Sequence, residues 1–81
     1  MDEDIRGRVH DLDVTVWVGK AGPDAVVDEL DGQLADRELV KLKFLRSARA
    51  GADVGTLASG LADDVDAEVV DTRGNTAVLR R

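Results

Sequence analysis

The residues Val14-Thr15-Val16-Trp17-Val18 run directly into Gly19-Lys20-Ala21-Gly22-Pro23, and this junction constrains the fold more than any other part of the 81-residue chain. β-Branched and aromatic residues in alternation suit a half-buried strand. Val14, Val16 and Val18 are expected on one face, Thr15 and Trp17 on the other. Two glycines then let the chain turn, and Pro23 suits the first turn of a helix, where its missing N–H leaves no bond unmade. Val26, Val27, Leu30 and Leu34 follow at helical spacing, with Asp24, Asp28, Glu29 and Asp31 as the solvated face, so a helix should run to about Arg37.

The same alternation of periods continues. Leu39–Leu45 reads as a second strand, with Val40, Leu42 and Phe44 inward and Lys41 and Lys43 outward. Arg46–Ala52 reads as a basic loop, and Val54, Leu57, Ala58, Leu61, Ala62 and Val65 mark a helix over about 53–65. Glu68–Asp71 and Thr76–Arg80 are expected as two short strands joined by Thr72-Arg73-Gly74-Asn75. Ahead of the first strand, residues 5–11 allow only a short helical turn, weakened by Gly7. The expectation is one α/β domain over residues 1–81, a two-layer β-α-β-α-β-β sandwich. Its four-stranded mixed sheet would carry both helices on one face. The other face would be open, with Trp17, Lys41 and Lys43 pointing from it.

Several kinds of chemistry lack their residues. The chain has no cysteine and one histidine, which removes disulfide frameworks, thiolate zinc sites and imidazole clusters. His10 has no nucleophile suggested beside it and is expected to fix the turn before the first strand. Asp63, Asp64 and Asp66 read as a solvated helix end rather than a cation site. No acid–base pair or cofactor motif stands out, so neither enzyme activity nor a cofactor is expected. The apolar run at Val14–Val18 is too short to span a bilayer, and the first residues are acidic rather than basic. A cytoplasmic protein without a membrane partner is expected.

Charge needs a positional reading. The net charge of -6 comes from thirteen Asp and four Glu against eight Arg and three Lys. An Asp-rich, Lys-poor composition suits molar salt, where strongly hydrated carboxylates keep a chain soluble, and points to a salt-adapted, halophilic protein. Residues 23–36 carry five acids and residues 53–72 carry six, with no base in either stretch. The bases gather elsewhere, at Lys41, Lys43, Arg46 and Arg49 and then at Arg73, Arg80 and Arg81. Acidic helices and basic strands or loops describe a two-sided molecule.

The Gly19–Gly22 loop would present free N–H groups of a helix start to an anion, with Lys20 as a mobile charge. Taken alone this is a weak phosphate-cradle signal, and it is too short for a P-loop. Trp17 could stack on a base or shield a partner contact, while Arg46 and Arg49 could add phosphate contacts.

Three runs carry a family resemblance: IRGRVHDLDVTVWVGKAG (Ile5–Gly22), ELVKLKF (Glu38–Phe44) and RGNTAVLRR (Arg73–Arg81). Together and in this order they resemble the YhbY family, the single-domain form of the CRM (chloroplast RNA splicing and ribosome maturation) domain; the composition suggests a haloarchaeal member. The resemblance implies a fold similar to the C-terminal domain of translation initiation factor 3. It implies RNA as the partner, ribosomal RNA or a precursor of the large ribosomal subunit; a monomer is expected. The contacts it implies are Gly19, Lys20, Ala21, Gly22, Lys41, Lys43 and Arg81, with Arg80 where the family often has tyrosine. Members usually carry a long basic N-terminal helix, which is short and led by acids here. Two other readings stay open: a protein-interaction module docking through the open face, and an Alba-like nucleic-acid-binding protein.

Overall fold

A computed structural model describes residues 3–49 and 51–81, with side chains described from Gly7 to Ala48 and from Gly51 onward. The order is α1 (Glu3–Asp11), β1 (Val14–Val18), a 3₁₀ turn (Pro23–Val26) running into α2 (Val27–Asp36), and β2 (Leu39–Phe44). A second 3₁₀ turn (Arg46–Arg49), α3 (Val54–Asp64), β3 (Glu68–Arg73) and β4 (Thr76–Arg80) complete it. The expected β-α-β-α-β-β order and four-stranded mixed sheet are both found.

The strands lie in the order β1-β2-β4-β3. β1 and β2 are parallel, as a helical crossover requires, while β4 runs antiparallel to both β2 and β3. The chain leaves β2 through α3, forms the outer edge as β3, and returns as β4 into the gap between. The hairpin is tighter than expected: Arg73 pairs with Thr76, so the loop is only Gly74-Asn75, with Gly74 at φ 58°. Glycine takes that left-handed geometry at no steric cost.

The main core lies between one sheet face and the pair α2 and α3. Val16, Val18, Val40, Leu42, Phe44, Ala77 and Leu79 meet Leu30, Leu34, Ala58 and Leu61 there, all nearly or fully excluded from solvent. α3 is closed at both ends by local bonds. Asp53 accepts from the Thr56 amide at 2.8 Å at its start. At its end the Ala67 amide donates to the Ala62 carbonyl across Asp66, which holds a left-handed φ of 56°.

Two expectations need correction. First, β1 does not alternate cleanly, because a bulge shifts its register between Val14 and Val16. Val14 therefore pairs with Lys41 on the second face, while the Thr15 hydroxyl donates to Gln33 Oε1 at 2.6 Å on the α2 side. The Gln33 amide donates back to the Thr15 carbonyl at 3.2 Å, which ties the bulge to α2. Second, the other sheet face is not wholly open. α2 and α3 do share one face, but α1 packs Val9 against Leu39 and Val78 on the opposite one, with Leu12 and Val70 beside them. A cluster of three buried apolar residues at the Leu39 end of the sheet is enough to dock a short helix that a sequence of mostly charged residues conceals.

Candidate functional site

Strand register decides which side chains share the second face. Trp17 pairs with Lys43, Lys43 with Thr76, and Thr76 with Arg73, so these four form one row across all four strands. The next row holds Val14, Lys41, Val78 and Asp71, and the one after it Leu39, Arg80 and Glu68. α1 covers the last row and part of the middle one through Leu39 and Val78. The Trp17–Arg73 row stands clear of those contacts, at the end of the sheet where β1 and β2 finish.

The Gly19–Gly22 loop sits at this end. The Gly22 amide donates to the Gly19 carbonyl at 2.9 Å, closing a tight turn with Lys20 and Ala21 exposed at its corners. Gly22 adopts φ 86° and ψ 176°, a region only glycine enters readily. Gly19 differs: its φ is not left-handed, and an added Cβ would meet only Leu45 Cδ1, at an ordinary 3.7 Å. The loop's geometry therefore demands the second glycine and leaves the first unexplained by the fold. The Leu45 amide donates to the Val18 carbonyl at 2.8 Å, and the Phe44 amide to the Asn75 carbonyl at 2.8 Å. These bonds hold the loop, the start of the Arg46–Arg49 turn and the β3–β4 hairpin together.

The electrostatics separate most of the cations into two groups. Arg8 pairs with Glu38 at 2.8 Å and Arg80 with Glu68 at 3.3 Å. Arg81 pairs with Asp31 and also donates from Nη2 to the Val65 carbonyl at 2.8 Å, bridging α2 to the end of α3. These contacts lie at the Leu39 end of the sheet or on its helix side. Among the described residues, Lys20, Arg37, Lys41, Lys43, Arg46 and Arg73 have no carboxylate within 4.0 Å. Four of the six belong to the loop end, with Lys41 one row away, and Arg37 stands alone at the end of α2.

The structure thus brings together Trp17, Gly19, Lys20, Ala21, Gly22, Lys43 and Arg46, with Lys41 adjacent. It places Arg80 and Arg81 at the opposite end, already occupied by Glu68, Asp31 and the Val65 carbonyl. The side chain of Arg49 lies outside the described residues. His10 is exposed in the last turn of α1 and does not hold the turn before β1, which is closed by the Leu12 amide on the Val9 carbonyl at 3.3 Å. Among the described residues no group of three His, Cys, Asp or Glu side chains could hold a metal ion, and no helix is long and apolar enough to cross a membrane.

Sequence reasoning puts Arg73 in the turn between the last two strands rather than on the sheet. A two-residue reading of the Gly74-Asn75 turn, counted back along β3, would have placed it opposite Thr76 and in the Trp17 row. Leu45, exposed beside Gly19, was also missed, because the residue after Phe44 looked like the end of a strand.

Comparisons with known proteins bear on the family and the fold. The family model for the CRS1/YhbY (CRM) domain matches residues 2–81. A protein of Methanocaldococcus jannaschii named "Probable RNA-binding protein MJ0652" is 40% identical over 77 residues. That alignment takes in 95% of this chain but 58% of the relative, so the chain spans little more than half its length. A solution structure of the hypothetical protein SAV1595 from Staphylococcus aureus, described as a candidate RNA-binding protein, superposes with a TM-score of 0.78 at 28% identity. It covers 96% of this chain and 80% of that one.

Proposed function

The chain belongs to the CRS1/YhbY (CRM) domain family, and from that premise we propose that it binds RNA through the loop end of its second sheet face. The observation that carries the reading is the cluster of cations without carboxylate partners (Lys20, Lys43, Arg46 and Arg73) in a chain whose net charge is -6. An acidic protein that leaves these four charges unneutralised has a surface suited to phosphates. The Gly19–Gly22 turn adds backbone that a ligand can approach closely, and Trp17 adds an exposed ring. Lys41 completes the basic edge, whereas Arg80 and Arg81 serve the fold.

The RNA we propose is ribosomal, encountered as a precursor of the large subunit, and the domain acts on it as a monomer. The family and the relatives named for RNA binding support RNA as the ligand; the ribosomal identity and the monomer are the proposal's own steps. No step requires a nucleophile, and the domain acts by binding rather than by catalysis. Crosslinking in cells followed by sequencing of the bound RNA tests the ligand: enrichment of large-subunit precursor sequences is expected, and their absence rejects it. Charge reversal tests the surface. Lys20→Glu with Lys43→Glu should weaken RNA binding at least tenfold, while Arg37→Glu, exposed at the other end of the sheet, should leave it near the parent value. Equal effects at the two ends would reject the proposed surface.

A further inference from the structure

The chain has two aromatic side chains, and the fold treats them oppositely: Phe44 is fully buried, whereas Trp17 is 56% exposed. A half-exposed indole is the largest apolar surface the sheet presents, and nothing in the core requires it, since Val16 and Val18 fill the buried face of β1. Resting on the RNA reading above, we infer that the Trp17 row takes unpaired nucleotides, with one base stacked on the indole, and discriminates against duplex RNA.

Three features point this way. Trp17 lies on an edge strand, paired on one side only, so a base can lie over or beside its ring without meeting a neighbouring strand. A base inside a duplex already has both faces stacked, and only an unpaired one can offer a face to a side chain. Lys43 follows in the same row at one strand spacing, about 5 Å, and Arg73 at three, roughly 14 Å, so the charges lie where the backbone of a short strand would cross the sheet. Thr76, between them, adds no charge. Lastly, Leu45 is the one other exposed large apolar residue among those described, and it lies against Gly19 at the same end of the sheet, two residues after Lys43 and directly before Arg46. A protein-docking surface needs about 800 Å² per partner and is poor in lysine, which this small basic patch does not match.

Trp17 is the chain's sole tryptophan and there is no tyrosine, so indole emission reports on the site directly. The full chain is titrated with end-labelled oligo(A), and separately with the blunt oligo(A)·oligo(U) duplex. Anisotropy of the label gives binding, and Trp17 emission gives stacking. Single-stranded oligo(A) should quench the emission saturably at the midpoint seen by anisotropy, while the duplex binds more weakly and quenches little. Trp17→Leu should weaken single-strand binding roughly five- to a hundredfold, and Trp17→Phe should keep most of it. Circular dichroism on each variant confirms that the sheet is intact. Binding by anisotropy without quenching, equal quenching by the duplex, or unchanged affinity of Trp17→Leu would each overturn the stacking proposal while leaving RNA binding in place. If neither RNA raises the anisotropy, the proposed function fails and this inference falls with it.

Discussion

The two loop glycines can be separated by replacing each with alanine, because the backbone treats them differently. Gly22 sits at φ 86° and ψ 176° with nothing within 4 Å of a built Cβ. The penalty in Gly22→Ala is therefore purely conformational, on the order of 1–3 kcal/mol for a region that only glycine enters freely. A central value of about 2 kcal/mol corresponds to a Tm lowered by roughly 8–16 °C in a domain of this size. Gly19→Ala meets Leu45 Cδ1 at 3.7 Å, an ordinary contact, and needs no left-handed φ. It should unfold at the parent temperature or a little above, since alanine narrows the unfolded ensemble by about 0.4–1 kcal/mol. Thermal and urea unfolding followed by circular dichroism provide the measurement, with RNA affinity read on the same samples. Gly19→Ala should then be the variant that folds normally and binds RNA less well, because its methyl group stands where the ligand backbone approaches. Equal stabilities for the two variants would refute the assignment of the turn geometry.

Other perturbations follow from contacts already described. Asp53→Ala should destabilise the domain at neutral pH, because the Thr56 amide, and then its hydroxyl, hold the Asp53 carboxyl below its ordinary value of 3.8. A depressed folded pKa stabilises above that value and ceases to as pH falls through the folded one, so the difference in urea midpoint between parent and variant should close below about pH 4. Arg81→Ala removes the bridge from Val65 and Asp31; with both partners partly solvated, a loss of about 1 kcal/mol in Tm-based stability and little change in RNA affinity are expected. If the aspartate excess is an adaptation to salt, the urea midpoint should rise steadily from low to molar KCl, and a flat response would reject that reading.

Much of this architecture is written in local periodicity. The Val16/Val18 and Val40/Leu42/Phe44 alternations and the Val54–Val65 stripe each bury the face they advertise. What escapes a linear reading depends on pairing. The bulge at Thr15 is invisible in VTVWV, yet it moves Val14 to the second face and gives Thr15 to Gln33. α1 docks through Val9, with Leu12 just beyond its end, within a run of charges, because Leu39 and Val78 leave an apolar spot that only strand register creates. Arg81 reads as one more base at the end of a basic strand, and its partner Asp31 lies 50 residues away. The candidate site was legible at Trp17, the loop and Lys43; Arg73 needed the hairpin register to join them.

Backbone amide mapping tests the central claim most directly. Adding single-stranded RNA to isotope-labelled protein should shift the resonances of Trp17 through Ala21, Gly22, Lys43, Arg46, Arg73 and Thr76, with the Trp17 indole N–H among them. The amides of α2, α3, Arg80 and Arg81 should stay in place. Shifts concentrated on α2 and α3, with the loop end unmoved, would contradict it.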